Sequence, residues 1–158
     1  MSANPIIMIP IGVVSSPRVD LSDDNWGSAE SVITIDSPEL LHEALLGLDT
    51  FSHIEVIYHL HRVPLEEIER GARHPRGRAD WPNGGILAQR AKARPNLIGL
   101  ARCQLLSVDG RTLRVRGLDA VDGSPVLDIK PYLAEFGPIG EVRQPVWSHE
   151  VMKDYYRE

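Results

Sequence analysis

LIGLARCQLLSVDGRTLRVRG, residues 97–117, decides the fold class. Residues 97–108 and 111–117 read as two strands joined at Asp109-Gly110, the dipeptide favoured by tight hairpins. Leu113 and Val115 alternate with Arg114 and Arg116, which marks one buried and one wet face. Cys103 falls within the apolar alternation and reads as packing rather than as a nucleophile.

Working outward, further short β-branched runs bounded by turn residues predict strands at 6–14 (IIMIPIGVV), 31–36 (SVITID), 52–61 (SHIEVIYHLH), 85–90 and 125–130. Such spacing with few helices predicts a mainly β domain, a compact barrel or sandwich with a few short peripheral helices. A helix is expected over 38–48, capped by Ser37, with Leu41, Ala44, Leu45 and Leu48 on one face, and a shorter one over 64–70. Residues 71–85 hold too many Gly, Pro and Arg for a regular element and read as a long mobile loop. The expected organisation is one domain over 1–140 followed by a tail, 141–158, with helical character.

The single cysteine among 158 residues excludes an internal disulfide and a thiolate metal cluster, so a reducing compartment, the cytoplasm, is the default. No run suits a membrane span or a secretory signal. Phosphate-loop, dinucleotide-fold, zinc-protease and serine-hydrolase motifs are absent. The net charge of −5 is unevenly placed. Arg70, Arg73, Arg76, Arg78, Arg90, Lys92, Arg94 and Arg102 face only Asp80 between residues 70 and 102, a net +7 that leaves −12 elsewhere. Either a polyanion binds there or the window is a solvated basic loop.

His53, His59 and His61 share a polar strand face, where two histidines at this spacing suit a metal, but no acid or thiol completes the set, and no metal is expected. ARPNLIG (93–99) combines a guanidinium, a turn-stiffening proline and an asparagine at a strand end. LDAVDGSPVLDIKPYL (118–133) offers Asp119, Asp122 and Asp128, with Gly123 permitting a turn that exposes backbone amides. Read alone, the latter is an ordinary turn whose acids cap or pair with arginines.

Taken together, IPIGVVSSP (9–17), FSHIEVIYHLH (51–61), GILAQRAKARPNLIG (85–99) and LDAVDGSPVLDIKPYL (118–133) resemble the TsaA-like, or TrmO-like, family of S-adenosylmethionine-dependent methyltransferases. The resemblance implies a dimeric β-barrel that binds S-adenosyl-L-methionine and methylates threonylcarbamoyladenosine in tRNA. Carried over by position, the donor pocket comprises Asp24, Asn25, Trp26, His61, Arg62, Arg90, Leu100, Val121, Asp122, Gly123 and Ser124. Arg62 or Arg90 suits the donor carboxylate and Asp122 the ammonium, while Trp26 and Leu100 suit the adenine. His61 and Asp122 are the candidate catalytic groups. Arg73, Arg76, Arg94 and Asn96 are the candidate substrate contacts, with tRNA the implied partner.

Three features depart from the family pattern. Glu55 stands where an aromatic is usual, RPNLIG replaces RPNPIG, and Asp24-Asn25-Trp26 replaces Pro-Arg-Gln. The longer members also continue into a C-terminal domain beyond the equivalent of residue 158. Methylation of a small metabolite, or donor binding without turnover, therefore stands beside the tRNA reading.

Overall fold

A computed structural model describes residues 3–158. Its strands are β1 (Gly12–Ser15), β2 (Glu30–Ile35), β3 (His53–His59), β4 (Ala72–Arg73), β5 (Gly84–Gly85), β6 (Ile98–Asp109), β7 (Thr112–Arg116) and β8 (Pro125–Pro131), with one α-helix, α1 (Val146–Met152). Six strands close an antiparallel barrel in the order β1-β2-β7-β6-β3-β8, and β4 and β5 form a separate ribbon.

Alternation fills the barrel as the opening stretch predicts. Gly99, Ala101, Cys103 and Leu105 point inward from β6, while Ile98, Leu100, Arg102 and Gln104 point outward. Ile33, Ile54, Val56, Leu113, Val115 and Val126 are fully buried in one core. Each such aliphatic side chain contributes about 1.5–3 kcal/mol of hydrophobic stabilisation. The β6–β7 hairpin forms where Asp109-Gly110 places it, with Asp109 opposite Thr112. Burial pushes the Cys103 thiol up to about 12, so it packs as a protonated group.

Several expected elements differ. The stretch 6–14 is not one strand: β1 begins at Gly12, and Ile6, Ile7, Met8 and Ile9 are exposed. Pro10 lacks the N–H that would carry a ladder further, and β8 pairs with β1 only through Gly12 and Val13. Over 38–48 there is no α-helix but two 3₁₀ turns, His42–Leu45 and Leu48–Thr50, separated by extended Leu46 and left-handed Gly47. Leu40, Leu45 and Leu48 still reach the core, leaving Leu41 and Leu46 in water. Packing overrides the helical pattern because so short a helix has little stability of its own.

The helix expected over 64–70 is likewise one 3₁₀ turn, Leu65–Glu67, and the strand at 85–90 is the turn Ile86–Ala88. There Ile86 N–H donates to the Gly71 carbonyl at 2.9 Å, which directs the chain into the ribbon. Residues 71–85 are therefore structured. Buried Gln89 staples the ribbon by donating through Nε2 to the carbonyls of Arg73 and Gly84, both at 2.8 Å. Buried Trp81 anchors the tip, with the Arg78 guanidinium 4.0 Å from its ring centre.

Candidate functional site

The cleft beside the barrel follows from how β6 begins. Arg94 donates to the carbonyls of Gln89 (2.8 Å) and Ala91 (3.3 Å), which fixes the turn before Pro95. Asn96 and Leu97 then both adopt left-handed backbone, with φ of 64° and 51°. The next inward position is Gly99, where a Cβ would lie 2.5 Å from the Tyr58 ring. Any side chain there would displace Tyr58, whose ring fills the barrel end next to the cleft.

The cleft has a volume of about 1180 Å³, against the roughly 300–1,000 Å³ usual for a small-molecule pocket. It has room for more than one ligand group. Leu60, Ile98 and Leu100 supply apolar wall, and Arg62, Arg73 and Arg90 supply charge. Its rim is strained: among the described residues the non-glycine left-handed positions are Asn25, Arg76, Asn96 and Leu97. Arg76 and Asn96 line the cleft, Asn25 precedes lining Trp26, and Leu97 follows Asn96. Backbone strain gathered around one concavity is characteristic of ligand sites.

The last residues of the chain form the far wall. Asn25 and Trp26 donate their N–H groups to the carbonyls of Asp154 and Tyr155, at 3.0 and 2.8 Å. A Cβ on Gly27 would lie 2.0 Å from the Tyr156 carbonyl oxygen, so only glycine permits this docking. Glu150, on α1, accepts a 2.6 Å hydrogen bond from Trp81 Nε1, tying the tail to the 71–85 segment. Trp147, Val151, Met152, Tyr155 and Tyr156 consequently face the cleft.

Asp119 sits beneath this wall. Its Oδ1 accepts from the Tyr58 hydroxyl at 2.8 Å, and its Oδ2 accepts from the Tyr155 hydroxyl. Burial first, and the Asp119 charge second, push both phenols well above the ordinary tyrosine range, so both remain donors.

The structure gathers Trp26, His61, Arg62, Arg73, Arg76, Arg90, Arg94, Asn96, Leu100, Val121 and Ser124 along the cleft. Asp24, Asn25, Asp122 and Gly123 do not line it. Asp24 is held by both terminal nitrogens of Arg76, at 2.8 and 3.0 Å. Exposed Asp122 instead accepts the Ser16 N–H at 2.9 Å. The amides of residues 122, 123 and 124 are not left exposed by the 121–124 turn. Asp122 N–H goes to the Arg18 carbonyl, Gly123 N–H to Val14 and Ser124 N–H to Val121. The buried Ser124 hydroxyl likewise donates to Val121. Trp26 is buried, with the Arg18 guanidinium 3.8 Å from its ring centre, so one face is already covered.

Tyr58, Tyr155 and Tyr156 are absent from the sequence-derived candidates: Tyr58 reads as an ordinary inward strand residue and the other two as tail. Asp119 reads as an acid that caps or pairs with an arginine, and it is held by two phenols instead.

His61 lies over the 121–124 turn, 3.5 Å from where a Cβ on Gly123 would be. Desolvation, with His59 and Arg62 nearby, lowers its pKa from 6.5, favouring the neutral imidazole. Arg62 donates to the Val19 carbonyl and Arg90 to the Leu100 carbonyl at 3.0 Å. Neither has a carboxylate partner among the described residues. Arg73 is also without one, and its buried Nε has no hydrogen-bond partner. By contrast, Arg76 and Lys92 are spent on Asp23 and Asp24. An anion entering the cleft thus meets guanidinium groups not already neutralised. Among the described residues no His, Cys, Asp and Glu group is placed to hold a metal ion.

Comparison with known proteins agrees with this architecture. A 46% identical relative from Methanothermobacter thermautotrophicus, described as a probable S-adenosyl-L-methionine-binding protein, aligns over 89% of this chain and 99% of its own length. The human tRNA (adenine(37)-N6)-methyltransferase is 34% identical over 65% of the chain, which spans only 23% of that protein. The crystal structure of TrmO from Pseudomonas aeruginosa superposes with a TM-score of 0.74 at 26% identity, covering 92% of this chain and 63% of that one. Residues 22–137 match the family described as tRNA-methyltransferase O N-terminal domain, and with most of the barrel and cleft inside that match, the chain belongs to this family.

Proposed function

We propose that the chain is an S-adenosyl-L-methionine-dependent methyltransferase whose acceptor is an adenosine in tRNA, threonylcarbamoyladenosine in the finer form of this reading. The observation that carries it is the cleft itself. Guanidinium groups free of carboxylates, an apolar wall and the Asp119 carboxylate, held by two phenols and by no cation among the described residues, meet in a space larger than one small ligand needs. The relatives named for donor binding and for tRNA methylation support the same reading.

The residues present fit the donor. Arg62 and Arg90 suit its carboxylate and Leu60, Leu100 and Ile98 its adenine, while buried Arg73 Nε offers an unused donor to an anion. Bound there, S-adenosyl-L-methionine supplies an electrophilic methyl group on sulfur. The chain's task is to align the acceptor nitrogen behind that methyl and exclude water, the large term in an in-line displacement. His61, kept neutral, accepts the acceptor's proton. Asp122 is the poorer choice because it is exposed and engaged with Ser16. Arg73 and Asn96 meet the acceptor side, whereas Arg76 and Arg94 act mainly by shaping the rim.

In this reading residues 1–140 are the barrel domain, and residues 141–158 complete its cleft. The enzyme works in the cytoplasm, where donor and tRNA meet, and acts as a homodimer. The exposed apolar run Ile6, Ile7 and Ile9, together with exposed Phe136 and Ile139, supports pairing. Among the described residues no helix is long and apolar enough to cross a membrane.

Titration calorimetry with S-adenosyl-L-methionine, followed by transfer of labelled methyl to total RNA and to metabolite fractions, tests the reading. Label is expected in tRNA and lost on Arg90→Ala. No binding at millimolar donor refutes the donor, and label confined to metabolites refutes the acceptor. Light scattering tests the dimer.

A further inference from the structure

Three carboxylates line the cleft: Asp23, Glu55 and Asp119. Asp23 is neutralised by Lys92 at 2.8 Å and Arg76 at 3.8 Å, and Glu55 by Arg102 at 3.4 Å. Asp119 has no cationic partner among the described residues. Among the described residues its side-chain partners are the phenols of Tyr58 and Tyr155, which donate one hydrogen bond to each oxygen.

A carboxylate accepts about four hydrogen bonds, so half of this one's capacity remains. Two neutral donors orient an anion but leave its charge uncompensated in a partly desolvated place, where an incoming cation is attracted more strongly than in water. We propose that Asp119 is the group that receives the positively charged part of the methyl donor, with Tyr58 and Tyr155 as positioning residues that hold its carboxylate. This rests on the donor reading above and assigns the cation-binding role to Asp119 instead of exposed Asp122.

The arrangement also gives the tail a purpose. Tyr155 reaches Asp119 because the backbone of residues 154–155 is hydrogen-bonded to Asn25 and Trp26. Docking of the last residues therefore aims the anion into the cleft. Tyr156 adds an aromatic ring, 4.9 Å from that of Tyr155 and edge-on to it, on the same wall.

The test is calorimetry on the full chain with three nucleosides of graded charge. S-adenosyl-L-methionine carries a sulfonium and an ammonium, S-adenosylhomocysteine only the ammonium, and 5′-methylthioadenosine neither. Asp119→Asn removes the charge and retains an acceptor. It is expected to weaken S-adenosyl-L-methionine binding about tenfold or more, the scale of a hydrogen bond to a charged group, and to leave 5′-methylthioadenosine unchanged. An equal loss for S-adenosylhomocysteine assigns the contact to the ammonium, and a loss confined to S-adenosyl-L-methionine assigns it to the sulfonium.

Equal affinity of wild type and variant for both charged compounds overturns the proposal. So does a matching loss for 5′-methylthioadenosine, since that marks Asp119 as merely structural. If Asp119→Asn does not fold, Tyr155→Phe provides the same comparison. It keeps the charge and frees one oxygen, with an expected loss of about three- to tenfold, the scale of one hydrogen bond, confined to the charged compounds. Failure of the wild type to bind any of the three compounds is a different result: it removes the donor reading, and this assignment with it.

Discussion

The barrel and the cleft are built by different means. In the barrel, residues two apart share a face, and each strand pairs along a backbone ladder that this alternation lines up, as in the β6–β7 hairpin with its one irregularity between Leu105 and Ser107. Leu113 is buried for the same local reason that Arg114 is exposed. In the cleft almost every decisive contact joins distant segments: Arg76 to Asp24, Trp81 to Glu150, Tyr155 to Asp119, and residues 25–26 to residues 154–155. The barrel tolerates variation that preserves alternation, whereas the cleft depends on a few specific close approaches. Perturbing the barrel should therefore abolish both regions, and perturbing the cleft should spare the barrel.

The largest expected effect comes from Leu113→Ala. Removing a fully buried leucine should cost about 2–5 kcal/mol in urea unfolding, with the tyrosine environment of the tail lost in the same transition. Two separated transitions would show the cleft to be more independent of the barrel than its contacts imply.

Gly27→Val places a side chain against the Tyr156 carbonyl and should release the tail. Overpacking of this kind is worth about 1–3 kcal/mol, and here most of it should appear as loss of docking. Donor affinity is expected to drop while the cooperative unfolding of the barrel remains. Calorimetry and urea melts on one sample check both halves of that expectation.

A smaller effect concerns His61. In its proposed role of proton acceptor it works only when neutral, so activity should fall as pH drops through its pKa. Because desolvation first, then His59 and Arg62, lowers that pKa in the free chain, the acid limb of the kcat/KM profile should lie below 6.5 and disappear in His61→Gln. A limb at or above 6.5, or one persisting in the variant, assigns the titration to another group.

Smallest of all is Glu30→Gln. Arg116 and Arg114 hold the Glu30 carboxyl below the usual range, yet the pair of bridges lies at the solvent-exposed surface, where such contacts contribute little. The urea midpoint should not move measurably, and neither should donor affinity. A clear loss would mean that surface charges, and not alternation alone, hold this side of the barrel.

The amino-acid sequence by itself determined the mainly β class and the β6–β7 hairpin, because period-two alternation and Asp109-Gly110 are local signals that survive without knowledge of the rest of the chain, whereas closure into a barrel rests on the distant pairs β1–β8, β3–β6 and β3–β8. It also marked the basic window and, by resemblance, the family. It misread the segments whose form depends on distant partners. Residues 6–11 lose their strand because β8 offers β1 only two pairings. Residues 38–48 lose their α-helix because packing wants three leucines and not a continuous face. Residues 71–85 gain order from Gln89 and Glu150, both outside the segment, the second through Trp81 near the loop's tip. Only the tertiary structure decided which charges remain available. Arg76 and Arg73 look alike as letters, but one is spent on Asp24 and the other has a buried nitrogen without a partner. Asp122 and Asp119 flank the same short turn, yet folding turns the first toward solvent and brings two tyrosines, one from β3 and one from the chain's end, onto the second. Charge compensation is a property of three-dimensional neighbours, and no spacing along the chain encodes it.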